Sequence, residues 1–312
     1  MTVRALRGRS LAITGVDGFV GRHVARLAAK AGASVYGVSR TTVVDDALDS
    51  VLSGYHSADL RWEWPRALDV DIVIHLAGRA AVGPSFGEPQ SYINDNSAMV
   101  TTMCEALLER GSGARIVGVS TGAVYRAPAA GGDVIEESSP VAPTSPYAVS
   151  KLTVEHQLDY YSARGLSTVI ARPFNHIGPG QGRGFLLPDL VARLRESGVA
   201  EALVVGDLST QRDYSDVRDV AAAYLALASS PELGHRIYNV ASGVATSGHD
   251  LLELVCAALG RSVPPLIVDE AFTRPSDPRR IAGSSSRLRG ETGWSPSYSL
   301  SDSVSDAVAS SS

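Results

Sequence analysis

Residues 10–21 read S-L-A-I-T-G-V-D-G-F-V-G, and this stretch decides the fold. A short apolar run at 10–14 predicts a buried β-strand, and glycines follow at positions 15, 18 and 21 before a helical pattern begins. Glycines let the backbone approach a phosphate closely, and a helix start offers free N–H groups and the positive end of a dipole. The spacing G-x-x-G-x-x-G differs from the commoner G-x-G-x-x-G. Its place directly after a strand nevertheless favours a dinucleotide site over a plain turn with a helix cap.

The end of the next predicted strand, residues 33–38, indicates which dinucleotide binds. A carboxylate at this point holds the ribose 2′-hydroxyl of NAD, whereas an arginine accommodates the 2′-phosphate of NADP. The chain has Ser39 and Arg40 here, and no carboxylate follows in the sequence until Asp45. We therefore expect NADP(H), with its 2′-phosphate at Ser39 and Arg40. The alternative is that Arg40 is only a solvated loop charge.

Strand and helix patterns alternate along the first half of the chain. Apolar runs at 70–77, 115–119 and 168–171 predict strands, and the stretches 97–110 and 147–163 predict helices. This alternation is typical of an α/β protein with a doubly wound parallel (Rossmann) sheet. Ligands of such a sheet bind outside the carboxyl ends of its strands.

The second half of the chain predicts shorter elements. We expect helices at 186–195 and 249–259, a helix capped by Asp216, a last helix from Leu300, and strands at 203–205 and 237–240. No long linker separates independent domains. The sequence therefore predicts a dinucleotide-binding domain of residues 1–174 and 216–244, and a smaller C-terminal substrate-binding lobe of residues 175–215 and 245–312.

The stretch around Tyr147 predicts a proton-transfer site. Pro146 precedes a helical pattern, and on a helix Tyr147 and Lys151 share one face. A nearby ammonium lowers the pKa of a phenol, which starts near ~10, so that the phenol can exchange a proton near neutral pH. Thr121 follows a predicted strand and can donate a hydrogen bond to a substrate oxygen. The alternative for Tyr147 and Lys151 is an amphipathic helix surface.

Residues 118–122 read G-V-S-T-G and satisfy G-x-S-x-G, the nucleophile elbow of α/β-hydrolases. The elbow needs a helix directly after its serine, and a loop with Pro128 is predicted here instead. A hydrolase that uses Ser120 is therefore a disfavoured alternative.

Composition excludes several classes of function. The net charge of -5 disfavours nucleic acid and anionic membranes as partners, and no run of about 18 apolar residues predicts a membrane span. The histidines and cysteines lack the spacing of metal ligands, so no metal is expected. Cys104 and Cys256 lie in apolar helical patterns and predict buried thiols, which fits a reducing, cytoplasmic location without a signal peptide.

Taken together, the motifs resemble the extended short-chain dehydrogenase/reductase family of nucleotide-sugar epimerases, dehydratases and reductases. The resemblance covers nearly the whole chain. It rests on T-G-V-D-G-F-V-G at 14–21, H-L-A-G at 75–78, S-T-G-A-V-Y at 120–125, P-Y-A-V-S-K at 146–151, R-P-F-N at 172–175, R-D-Y-S-D-V-R-D-V at 212–220 and T-G-W-S-P at 292–296. Each motif alone is weak, but the joint pattern is specific.

The resemblance implies roles for individual residues. Tyr147 is the expected acid/base, Lys151 lowers its pKa and holds the nicotinamide ribose, and Thr121 polarises a carbonyl. The implied cofactor contacts are Gly15, Asp17, Gly18, Phe19, Val20, Gly21, Ser39, Arg40, Asp59, Leu60, Leu76, Ala77, Gly78, Tyr147, Lys151 and Pro173. Asn96 matches a structural asparagine, and the implied contacts to the nucleotide sugar are Thr121, Asn175, Arg212 and Arg274.

Departures from the family pattern narrow the expected chemistry. The 4,6-dehydratases carry acidic residues after the active-site threonine, and this chain has Gly122 and Ala123 there. The motifs R-P-F-N-H-I-G-P-G-Q at 172–181, F-L-L-P at 185–188 and R-P-S-D at 274–277 look most like the NADPH-dependent reductases of GDP-4-dehydro-6-deoxy-D-mannose and related 4-ketoreductases. We therefore expect an oxidoreductase of deoxysugar biosynthesis that acts on a GDP- or dTDP-linked 4-keto-6-deoxyhexose.

Two other functions remain open: an NAD-dependent nucleotide-sugar 4-epimerase and, more remotely, a non-catalytic NADP-binding sensor. The sequence does not indicate the nucleotide base, the carbon reduced or the product stereochemistry. We also expect a homodimer, because this family pairs the two helices predicted at 97–110 and 147–163, where Met99, Met103 and Leu107 offer apolar surface. The alternative is that these three residues only face the sheet.

Overall fold

The computed structural model describes residues 6–127, 134–196, 198, 201–269 and 278–311. The strands are β1 (Ser10–Thr14), β2 (Ser34–Ser39), β3 (Gly54–Ser57), β4 (Ile72–His75), β5 (Arg115–Val119), β6 (Ser167–Pro173), β7 (Asn175–Ile177), β8 (Leu203–Val205), β9 (Gln211–Asp216), β10 (Ile237–Val240), β11 (Ala245–Ser247) and β12 (Leu266–Val268). The helices are α1 (Phe19–Lys30), α2 (Asp46–Asp49), α3 (Val82–Ser85), α4 (Pro89–Glu109), α5 (Pro146–Ala163), α6 (Leu186–Glu196), α7 (Val217–Ser229), α8 (Gly248–Ala258), α9 (Ser286–Thr292) and α10 (Leu300–Ser310).

A parallel sheet of seven strands forms the centre of the molecule, in the order β10-β6-β5-β4-β1-β2-β3. The chain starts in the middle of this sheet at β1 and winds outward in both directions. Beside β1 the connections reverse direction, and a doubly wound sheet binds its ligands at the crevice that this reversal opens. The predicted α/β class with a parallel Rossmann sheet is therefore confirmed.

Helices cover both faces of this sheet because its strands point alternate side chains to opposite sides. Leu11 and Ile13 of β1 pack in a core with α1, α7 and α9, whereas Ala12 packs in a second core with α4 and α5. Both faces are apolar, which is the reason that these strands read as continuous hydrophobic runs.

Three residues of α4 that were expected at the molecular surface lie in the second core. Met99, Met103 and Leu107 of α4 are 9, 0 and 2% exposed and pack in this core. The prediction that they offer intermolecular surface was wrong, because the side of α4 that carries them faces the sheet. Helix α4 also starts at Pro89, earlier than the predicted residue 97, because proline at the first helical position is already set for a helix.

A smaller unit lies beyond the central sheet. It contains the sheet β11-β9-β7, the pair β12-β8, and a separate core built from α6, α8 and α10. Leu288 and Trp294, which the sequence assigned to this lobe, pack instead in the core of the central sheet. The exact domain division stays a prediction.

The cysteines and the helices bear on two further expectations from the sequence. Cys104 and Cys256 are both buried free thiols, as predicted. In the described residues, no helix combines the length and the apolar character that a membrane crossing requires.

Candidate active site and cofactor cleft

The turn between β1 and α1 is a backbone cradle. Gly15 has φ +67°, and a Cβ at this residue would lie 3.1 Å from the Cα and the N of Ala77. A Cβ at Gly21 would lie 2.3 Å from the carbonyl oxygen of Gly15, so side chains are excluded where the turn meets the helix. Gly18 caps α1 without a side-chain hydrogen bond, and the first-turn N–H groups at Phe19 and Val20 have no acceptor within the helix. This cradle fits a pyrophosphate.

The end of β4 is fastened beside this turn. The backbone N–H groups of Leu76 and Ala77 both donate to the Thr14 hydroxyl oxygen, each at 3.1 Å. The Thr14 hydroxyl also lies 2.9 Å from Nδ1 of His75. Because its oxygen already accepts twice, Thr14 donates to Nδ1, which leaves the ring proton of neutral His75 on Nε2. The predicted cofactor residues Leu76 and Ala77 are thus brought to the glycine turn.

The end of β2 carries a group of hydroxyls. Ser39 is 7% exposed, and its hydroxyl lies 2.9 Å from the Thr41 hydroxyl and 2.7 Å from the Tyr55 hydroxyl. Arg40 is exposed and, among the described residues, forms no hydrogen bond or ion pair. The Thr41 hydroxyl donates to the Asp17 carboxylate at 3.1 Å. Of the two residues expected at a 2′-phosphate, Arg40 is therefore the one with an uncommitted donor.

Asp59 and Leu60, implied as adenine contacts, follow β3. The Arg61 guanidinium donates to both oxygens of the Asp59 carboxylate, at 3.0 Å from Nε and 2.6 Å from Nη2, and this hydrogen bonding lowers the pKa of Asp59. Leu60 is buried in the core with α4 and α5. The Asp59 carboxylate therefore already has a partner within the chain, and the Leu60 side chain faces the core.

Helix α5 presents Tyr147 and Lys151 toward the end of β5. The Ser145 hydroxyl caps the helix by accepting from the N–H of Ala148, and Pro146 occupies its first turn. The Lys151 ammonium donates to the carbonyl oxygen of Val119 at 2.9 Å. Burial lowers the pKa of Lys151 to about 8, although the nearby Glu155 carboxylate acts in the opposite direction.

Asn96 and Gly78 join α5 to the loop after β4. The Asn96 side chain accepts from the N–H of Arg79 at 2.8 Å and donates to the Ser150 hydroxyl at 2.9 Å. A Cβ at Gly78 would lie 3.0 Å from Oδ1 of Asn96 and 3.5 Å from Nζ of Lys151. Gly78 therefore lies directly beside the lysine.

Thr121 and Tyr147 meet at the mouth of the sheet. Thr121 caps a single 3-10 turn (Gly122–Val124), where its hydroxyl accepts from the N–H of Ala123 at 3.1 Å. Burial raises the pKa of Tyr147, and the nearby Thr121 side chain offsets this only in part. The expectation that Lys151 lowers this pKa is wrong for this structure, because burial of the phenol is the largest cause of the shift and Lys151 contributes nothing to it.

A buried charge network, which no sequence motif predicted, lies behind these residues. Glu155 and Arg172 are each 3% exposed, and the guanidinium binds the carboxylate from Nε at 2.8 Å and from Nη2 at 2.5 Å. The guanidinium also lies 4.7 Å from the ring centre of Tyr125. The four-residue spacing of Lys151 and Glu155 on α5 is a sequence signal that could have found Glu155. Arg172 is 17 residues away, and only the fold pairs it with Glu155.

Ser120 belongs to the same network. It is 2% exposed, and its hydroxyl donates to the Glu155 carboxylate. An elbow serine needs an exposed hydroxyl and a following α-helix, whereas Ser120 is buried and is followed only by the 3-10 turn Gly122–Val124. The hydrolase alternative therefore has no support in this geometry.

The predicted substrate residues lie on the smaller sheet. Asn175 is exposed at the start of β7, and Arg212 lies on the neighbouring strand β9. One nitrogen of the Arg212 guanidinium donates to the carbonyl oxygens of Gln211 and Pro278, both at 2.8 Å. Pro173 ends β6 and is buried. Arg274 lies outside the described residues.

Comparisons with known proteins show which family this chain resembles. Residues 11–241 match the NAD dependent epimerase/dehydratase family. The chain is 35% identical to the GDP-6-deoxy-D-mannose reductase of Pseudomonas aeruginosa over 94% of each chain, and 31% identical to a UDP-glucose 4-epimerase of Streptomyces lividans over 95% of this chain and 94% of that one. A solved structure of RMD from Pseudomonas aeruginosa complexed with NADPH superposes with a TM-score of 0.81 at 32% identity, over 97% of each chain.

Proposed function

The chain belongs to the NAD dependent epimerase/dehydratase family, and from this premise we propose that it is an NADPH-dependent reductase of a nucleotide-diphospho-4-keto-6-deoxyhexose. The observation that carries the proposal is that Thr121, Tyr147 and Lys151 are all buried around the end of β5, with the lysine beside Gly78 in the loop after β4. The relative that is a GDP-6-deoxy-D-mannose reductase and the structural neighbour complexed with NADPH support the same activity.

The cofactor assignment rests on residues that fit a dinucleotide phosphate. The cradle at Gly15, Gly18 and Gly21 would hold the pyrophosphate, and the free guanidinium of Arg40 at the end of β2 would hold the 2′-phosphate. Lys151 would hold the nicotinamide ribose. When bound, NADPH supplies the hydride that a ketone reduction needs.

The protein groups supply the proton and the electrostatic stabilisation. The Thr121 hydroxyl donates a hydrogen bond to the substrate carbonyl oxygen, and the Tyr147 phenol gives its proton to that oxygen as negative charge develops on it. Burial keeps the phenol protonated at neutral pH, which suits a group that starts the reaction as an acid. The Lys151 ammonium, one helix turn from Tyr147, would add a positive field to the site. Asn175 and Arg212 would contact the nucleotide sugar, with the arginine donating to its diphosphate.

The test follows the absorbance of NADPH during incubation with GDP- and dTDP-linked 4-keto-6-deoxyhexoses. We expect turnover with at least one of them. Tyr147→Phe should lower turnover by about 100-fold or more, because positioned proton donors contribute about 10²–10⁴-fold. Tyr160→Phe is the matched control, since Tyr160 lies on the same helix and is 57% exposed. Near-normal turnover of Tyr147→Phe at saturating substrate would refute the assignment.

An NAD-dependent nucleotide-sugar 4-epimerase is the second candidate. The UDP-glucose 4-epimerase of Streptomyces lividans supports it, and so does the Asp17 carboxylate near the end of β2. An epimerase interconverts nucleotide sugars without consuming NADPH, so product formation at constant nicotinamide absorbance would favour it over the reductase.

A further inference from the structure

The fold brings a carboxylate to the end of β2, where the sequence shows none until Asp45. Asp17 belongs to the glycine turn after β1, 24 positions before Thr41, yet its carboxylate accepts from the Thr41 hydroxyl at 3.1 Å. Thr41 directly follows Arg40, the residue expected at a 2′-phosphate. The Asp17 carboxylate and the loop that carries Arg40 therefore lie together at the strand end where such folds distinguish a 2′-hydroxyl from a 2′-phosphate.

Hydroxyl groups hold Thr41 and Asp17 in this arrangement. Tyr55 of β3 donates from its phenol to the carbonyl oxygen of Thr41 at 2.6 Å, and its oxygen lies 2.7 Å from both the Thr41 and the Ser39 hydroxyls. Carbonyl and carboxylate oxygens can only accept, so the Tyr55 hydroxyl donates to the Thr41 carbonyl and the Thr41 hydroxyl donates to the Asp17 carboxylate. The Ser39 hydroxyl then donates to the Thr41 or the Tyr55 hydroxyl. Each of the three hydroxyl protons therefore has an acceptor within the chain, and these hydrogen bonds fix the loop that carries Arg40.

The Asp17 carboxylate is not neutralised within the described residues. The Arg22 guanidinium donates instead to the main-chain oxygen of Asp17 at 2.9 Å and pairs with Asp45 at 2.5 Å. A charged acceptor without an ion pair can bind a ribose 2′-hydroxyl, and it repels a 2′-phosphate.

We infer that Asp17 is a second determinant of cofactor choice, which opposes Arg40: it favours the 2′-hydroxyl of NADH and weakens the binding of the 2′-phosphate of NADPH. This inference rests on the proposed NADPH site. Arg40 attracts the phosphate and Asp17 repels it, so the wild-type protein binds NADPH with a smaller preference than Arg40 alone would give.

Equilibrium titrations of NADPH and NADH test this inference without catalysis. We expect Asp17→Asn, which keeps an oxygen acceptor for Thr41 and removes the charge, to raise the preference for NADPH over NADH by about five- to tenfold at low salt. Thr41→Val keeps the charge and removes the tether, so it should change the preference less than Asp17→Asn. Asp46→Asn is the matched control for net charge, because Asp46 is an exposed acid of α2. The Asp46→Asn protein should prefer NADPH over NADH by the same factor as the wild type.

The outcomes separate the two proposals. If the wild type binds NADPH but Asp17→Asn leaves the preference unchanged, Asp17 only fastens the loop, and the inference is overturned while the proposed function stands. If the wild type binds neither dinucleotide, both are overturned. An Asp17→Asn variant that melts well below the wild type is replaced by Asp17→Ser, for which the same rise in preference is expected.

Discussion

Glu155→Gln is the change that should disturb both the stability of the protein and Lys151, the lysine of the candidate site. The glutamine keeps the shape of the side chain but leaves the Arg172 guanidinium, which is 3% exposed, without its counter-charge. Breaking a buried pair from one side costs about 3–5 kcal/mol. At about 2 °C per kcal/mol for a chain of this size, the melting temperature should fall by about 6–10 °C.

The same change should act on Lys151, whose pKa of about 8 is held up in part by Glu155. Without that carboxylate, the pKa of Lys151 falls further below its ordinary value. The ammonium is then lost at lower pH, so the alkaline decline of NADPH affinity should move to lower pH in the variant. Calorimetry measures the stability effect, and NADPH titrations between pH 6 and pH 9, a range that spans the wild-type pKa, measure the second effect.

Two controls make this prediction sharp. Glu196→Gln breaks a surface pair in which Arg183 and Glu196 are 67 and 61% exposed, and it should change the melting temperature by less than about 2 °C. Glu155→Leu combined with Arg172→Met removes both buried charges and should recover much of the loss. A Glu155→Gln protein that melts within about 2 °C of the wild type would refute the reasoning, because no uncompensated charge would then be buried.

Three further predictions concern pH, packing and assembly. Burial lowers the pKa of His75 from its ordinary 6.5 to about 3. Between these two pH values the unfolded state binds a proton at His75 and the folded state does not, so stability to urea should fall as the pH drops from 6.5 toward 3. The fall should be smaller in His75→Asn. Gly21→Ala places a Cβ 2.3 Å from the Gly15 oxygen and should weaken NADPH binding by about tenfold or more, whereas Gly290→Ala, with no atom within 4 Å, should not. A homodimer through α4 and α5 predicts twice the chain mass in light scattering at micromolar concentration, and a monomer mass would contradict it.

The fold was predictable wherever its determinants are local. The strand Ser10–Thr14, the glycine turn and the following helix are adjacent in sequence, and their geometry depends on backbone freedom and apolar runs that a reader can see. The same holds for strands β5, β8 and β10, whose predicted and observed bounds agree. The start of α4 was placed too late, because apolar periodicity begins only after its polar first turns.

In the candidate site, too, the locally determined features were predictable and the others were not. The residues Thr121, Tyr147 and Lys151 follow from short motifs, because one helix turn or one strand end places each of them. Their electrostatics did not follow, since the loss of water around a buried phenol depends on every element that packs over it. The sequence suggested a tyrosine with a lowered pKa, and the structure contains one whose pKa is raised.

By itself, the sequence determined the Rossmann class, the glycine turn between β1 and α1 and the short motifs that carry the proposed chemistry, because these depend on neighbouring residues. Only the tertiary structure decided which distant side chains meet: Asp17 with Thr41, Glu155 with Arg172, and Met103 with the core rather than with solvent. The physical reason is that charge pairing and burial are set by distance in space. That distance is unrelated to separation along the chain once a sheet with crossover connections has folded.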